Sequence, residues 1–114
     1  GDYSFCRCKK LKSIEIPYSV ISIGRFAFDG CSSLQEIIIP TSVTSVGECA
    51  FYGCTSLSHV SIPSSLTTIS NHLFYGCSSL KQIIIPRSIT IIGQSSFKQC
   101  SSLQEITIPS SANL

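Results

Sequence analysis

The sequence predicts a parallel-β solenoid, in which one short unit recurs at fixed phase and stacks on copies of itself. Three observations predict it. All five prolines, Pro17, Pro40, Pro63, Pro86 and Pro109, fall 23 residues apart. Five of the seven cysteines, Cys8, Cys31, Cys54, Cys77 and Cys100, keep the same interval. Apolar columns run beside them without a slip: Leu11, Leu34, Leu57, Leu80, Leu103; Phe5, Phe28, Phe51, Phe74, Phe97; Ile16, Ile39, Ile62, Ile85, Ile108. A fixed period in the range of roughly 20 to 50 residues marks an array, because so short a unit cannot enclose a core and must bury its face against its neighbours.

Each element follows in order along the unit that starts at Leu34. Ile37 and Ile39 alternate with Glu36 and Ile38, the period-two pattern of a short strand with one face inward. Pro40 ends it, since proline lacks the ladder donor. Val43 and Val46 face inward at a spacing of three, and Gly47 turns the chain. Ala50, Phe51 and Gly53 suggest one short helical or 3₁₀ turn. Cys54 closes the coil, and Thr55 with Ser56 leads back to the next strand. Successive strands then run in the same direction, in a parallel sheet with rungs about 4.8 Å apart.

The chain divides into one array over residues 1–114: a partial first unit 1–10, units 11–33, 34–56, 57–79 and 80–102, and a partial last unit 103–114. It reads as a piece of a longer array whose open ends should tend to associate end to end. Some positions depart from the pattern. Arg7 and Gln99 stand where other units have Gly30, Gly53 and Gly76, Ser96 takes the alanine position, and Ser70 replaces the turning glycine.

Composition bounds the function. Of 114 residues, 12% are charged, about half the usual ~25%, and 43% are hydrophobic. The chain is therefore too apolar for disorder. A net charge of +2 lacks the dense basic stripe that nucleic acid requires. No aliphatic run exceeds blocks such as Ile37, Ile38 and Ile39, far short of the ~18 residues of a membrane span. The many serines are structural punctuation, held at fixed phase in Ser33, Ser56, Ser79, Ser102 and in Ser19, Ser42, Ser65, Ser88, Ser111.

Reactive chemistry is sparse. Metal sites usually draw on paired Cys or His at two-to-four spacing, and only Cys6-x-Cys8 approaches that. The ladder cysteines read as small buried residues, with bridging between adjacent rungs open if the side-chain vectors allow. Seven is an odd number, so pairing cannot be complete. Cys6 and Cys49 lie off the ladder, and one of them, if exposed, offers an oxidative dimer contact. His59, His72, Glu36 and Glu105 are the acid–base candidates, but no phosphate loop or nucleophile elbow accompanies them. The sequence predicts no enzyme, no cofactor and no metal. Arg7, Lys9, Lys10 and Lys12 form the one local charge concentration, read as a solubilising edge, with a phosphate or glycan contact as the alternative.

Binding belongs to residues freed from core duty. On the strand these are Ser13, Glu36, His59, Gln82, Glu105 and Glu15, Ile38, Ser61, Ile84, Thr107. Ile38 and Ile84 make the stripe part apolar, which suits protein recognition; the alternative is that they only serve β-propensity. A second candidate is the turn column Asp29, Tyr52, Tyr75, Lys98, whose two aromatics could anchor a ligand.

The repeated Ile-Pro-x-Ser-Val, Ala-Phe-x-Gly-Cys and Ser-Leu segments resemble the BspA-type leucine-rich repeats, from about Phe5 to Pro109. That resemblance implies a leucine-rich-repeat solenoid of the α/β type, right-handed. It places the parallel sheet on the concave side and short strands or 3₁₀ turns on the convex side. It also implies cell-surface proteins of mucosal bacteria and parasitic protists that adhere to host and matrix proteins. The expectation is a non-catalytic adhesion module at the cell surface. It would bind a host or matrix protein through Glu15, Glu36, Ile38, His59, Gln82, Ile84 and Glu105, or through Tyr52 and Tyr75. An intracellular scaffold and a structural spacer without a ligand are the alternatives.

Overall fold

A computed structural model of the chain describes residues 2–107; Ile108, Pro109 and Ser111, the last members of their columns, lie outside the described residues. Eight short strands follow one another: β1 (Ser22–Ile23), β2 (Glu36–Ile38), β3 (Ser45–Val46), β4 (His59–Ser61), β5 (Thr68–Ile69), β6 (Gln82–Ile84), β7 (Ile91–Ile92) and β8 (Glu105–Thr107). Every pairing is parallel, with partners 23 positions apart, as in Glu36 opposite His59 and Ser22 opposite Ser45. The three-residue strands form one face of the coil and the two-residue strands another. Pairing alternates between them: β2 with β4 and β6 with β8 on the first, β1 with β3 and β5 with β7 on the second.

Each of the four described prolines shapes the corner between the two faces. The amides of Val20, Val43, Leu66 and Ile89 donate to the carbonyls of Pro17, Pro40, Pro63 and Pro86 at 3.0 to 3.2 Å, closing a four-residue turn. The serine column ties these turns to the coil before. Ser42 and Ser65 donate their hydroxyls to the Val20 and Val43 carbonyls at 2.7 and 2.5 Å, while the buried Ser88 hydroxyl has no partner.

The third side of the coil corrects the expected helical or 3₁₀ turn, because no described residue is helical. Cys49 and Gly53 have φ of 59° and 70°, and a left-handed residue at each end cannot sit in a right-handed helix. Alternate amides instead point to the next coil: Cys49, Phe51 and Gly53 donate to Asn71, Leu73 and Tyr75, while Tyr52 and Cys54 donate back to Cys49 and Phe51. The same alternation recurs in the coils of Phe26 and His72. It satisfies backbone donors that a lone turn would leave open.

The core lies between the three sides. Leu34, Ile37, Ile39, Val43, Val46, Ala50, Phe51 and Cys54, the inward set of one unit, are all buried. Phe5, Phe28, Phe51, Phe74 and Phe97 stack in a file at centroid spacings of 5.3 to 5.7 Å. Phe5 and Ile106, whose coils have a described neighbour on one side only, are 39% and 36% exposed.

Candidate functional site

Ile37, Val60, Ile83 and Ile106 take the inward position of the three-residue strands, so the alternate positions point outward. All ten outward positions are exposed. Ile38 and Ile84 are 63% and 70% exposed, two coils apart, with the small Ser61 between them in register. An open groove of about 940 Å³ runs across β2, β4, β6 and β8 and is lined by Glu36, Ile38, His59, Gln82, Ile84 and Glu105 among others. Glu15 lines an adjoining hollow that shares Glu36 and Ile38. Seven of the nine residues expected to meet a partner thus share one face.

Tyr52 and Tyr75 lie elsewhere, on the turn side. Their rings stack at 4.7 Å and 3°, with His72 tilted 5.8 Å from Tyr75. Both are half-buried, and their inner faces are spent on each other. Tyr3 stacks on Phe26 in the neighbouring column at 5.1 Å.

The acid–base candidates do not assemble. The exposed His59 Nδ1 is 3.0 Å from the hydroxyl of the half-buried Ser58, and Glu36 meets His59 only as a register partner. Among the described residues no group of three or more His, Cys, Asp or Glu is placed to hold a metal ion. No helix of the described residues is long and apolar enough to cross a membrane. The basic residues Arg7, Lys9, Lys10 and Lys12 are exposed.

All seven cysteines are free. The ladder members do more than fill space: Cys31, Cys54, Cys77 and Cys100 each donate the thiol to the carbonyl of Phe5, Phe28, Phe51 and Phe74 in the preceding coil, at 3.0 to 3.2 Å. Burial raises the pKa of each of these thiols, because the thiolate would be stranded in apolar surroundings. Cys6 and Cys49 are the half-buried thiols off the ladder. Burial and then the Asp29 carboxylate push Cys6 up, and burial and then Glu48 push Cys49 up. Sequence reasoning saw the cysteine column but missed its bonds. The available signal was chemical, since alanine or valine would have filled the space without offering a donor.

The profile of the BspA type leucine rich repeat region matches residues 1–114 in 6 copies. A leucine-rich repeat protein from Bacteroides ovatus is 38% identical, with a TM-score of 0.79 over 98% of this chain and 35% of its own. The T. pallidum leucine rich repeat protein is 36% identical, with a TM-score of 0.85 over 90% of this chain and 50% of its own. A leucine rich cell surface protein from Faecalibacterium prausnitzii is 31% identical, with a TM-score of 0.75 over 84% of this chain and 31% of its own. The chain thus spans between about a third and a half of the length of these proteins. No protein of curated function matches it. The coils, their parallel strands and the matched profile agree: the chain belongs to the BspA-type leucine-rich repeat family.

Proposed function

We propose that the chain is a non-catalytic protein-recognition module of a cell-surface protein, and that it engages its partner through the outward strand face. In this reading the array is a right-handed coil of 23 residues per turn with that face concave. The observation that carries it is the pair Ile38 and Ile84, the large aliphatics that are 63% and 70% exposed within the groove. A strand facing only water is better served by polar residues, and exposed aliphatics within a polar rim are the usual core of a docking site. The surface location draws on the family and on the leucine rich cell surface protein among its structural neighbours. Free thiols do not argue against it: the buried ladder is shielded and its thiolates are disfavoured, so it withstands an oxidising compartment.

The test is a double substitution, Ile38→Thr with Ile84→Thr, which keeps β-branching and so the strand. Binding to immobilised matrix and plasma proteins, followed by surface plasmon resonance, should weaken about tenfold or more, as for loss of a docking core. The urea midpoint should not move. Unchanged affinity removes the strand face from consideration and leaves the stacked Tyr52–Tyr75 side.

A further inference from the structure

The strand face differs in charge from the rest of the molecule. Its ten outward positions hold three of the chain's six acids, Glu15, Glu36 and Glu105, and no lysine or arginine, although the chain as a whole carries +2. Lys81 is the single lysine or arginine among the residues lining the groove. Glu36 and Glu105 stand in one outward column and Ile38 and Ile84 in the other, so a partner buried here must bring positive charge along one side of the groove and apolar side chains along the other.

Spacing decides the partner's conformation. Ile38 and Ile84 are two rungs apart, or about 9.6 Å at the usual strand spacing. An extended chain presents same-face side chains at multiples of about 6.7 Å and misses this interval. A helix presents residues i and i+7 on one face about 10.5 Å apart and meets it. Width agrees, since a three-residue strand spans about 10 Å, one helix diameter.

Resting on the strand-face reading above, we propose that the occupant is a cationic amphipathic helix lying along the stacking direction of the coils. Its apolar stripe packs over Ile38, Ser61 and Ile84, and its lysines or arginines meet Glu36 and Glu105.

Three fluorescein-labelled synthetic peptides of about 15 residues test this by anisotropy. The first carries leucines at helical spacing among lysines, the second has the same composition with leucine and lysine alternating, and the third is the first with glutamate for lysine. The first should bind about tenfold tighter than the others, and more weakly as salt rises, as screening requires. Glu36→Gln with Glu105→Gln should weaken it about fivefold and flatten the salt dependence, while Glu48→Gln should do neither.

Equal binding of the alternating peptide overturns the helix, and equal binding of the glutamate peptide overturns the charge class. In both cases a loss on Ile38→Thr with Ile84→Thr would still leave the docking face standing. If that double variant binds all three peptides as before, the face itself is wrong. Sedimentation showing the chain alone forming dimers that Glu36→Gln with Glu105→Gln dissociates would assign the groove to a second copy and overturn the proposal.

Discussion

A Cβ at position 47 would lie 2.5 Å from the Arg25 amide nitrogen and 2.8 Å from the Gly24 carbonyl carbon, backbone that cannot yield without moving a coil. At position 53 the nearest atom beyond the chain neighbours is the Gly30 nitrogen at 4.0 Å, and the constraint is φ of 70° instead. The two glycines of one unit are therefore fixed by different forces. Gly53→Ala should cost about 1 kcal/mol, the strain of a left-handed alanine. Gly47→Ala should cost more, about 2 kcal/mol or above, because the added methyl collides with the backbone of the preceding coil and must push it away. Gln99, held at φ 61°, gives the converse: Gln99→Gly should stabilise by about 0.5 kcal/mol, the relieved strain less the added freedom of the unfolded chain. Urea midpoints of the three variants check all of this. Arg7, also left-handed at φ 60°, shows what sequence can reveal. Its place in the glycine column is legible, but the dihedral that column demands is not.

Elements follow the same logic. Gly47 and Gly93 donate their amides to the Ile23 and Ile69 carbonyls at 2.7 and 2.6 Å. At the equivalent place Ser70 uses its hydroxyl on the Val46 carbonyl, and β3 and β5 on either side of that contact are not paired. Ser70→Ala should cost about 1 kcal/mol, one hydrogen bond, whereas Ser70→Gly should be tolerated and should gain hydrogen-exchange protection at its amide. Loss of stability in the glycine variant would show that the hydroxyl bond is the better of the two. The long strands were legible, because isoleucine alternation and a closing proline are local signals. The turn side was misread as helical for an equally physical reason. Phe26, Cys49, His72 and Ser95 all adopt φ between 56° and 59°, yet they share no chemistry that marks a left-handed residue. The alternation of strand pairing was also hidden, since the columns look alike in every coil.

Across the whole molecule, four thiols in four successive coils share one environment, and stability should carry their signature. Burial raises their pKa values, so the unfolded chain loses these protons first, from about pH 8.5 upward. Their contribution is thus intact below that value and is lost as pH climbs through the native pKa values. Urea midpoints should be flat between pH 6 and 8 and fall toward pH 10. The fall should be shallower in Cys54→Ala with Cys77→Ala, which starts lower but has fewer such groups. The candidate face was legible at this scale because repetition assigns each column to the inside or the outside. What fills the groove was not, since a period dictates only the columns that must match.

The stacked Tyr52–Tyr75 pair has an optical consequence. With 0 tryptophans and 4 tyrosines, ultraviolet emission from this protein is dominated by tyrosine, and two of the emitters are stacked nearly parallel at 4.7 Å. Such a pair couples electronically, so near-ultraviolet dichroism reports whether the coils carrying it are still in register. A ligand on the opposite strand face should leave that signal quiet, which gives every variant above an intrinsic, label-free control for integrity.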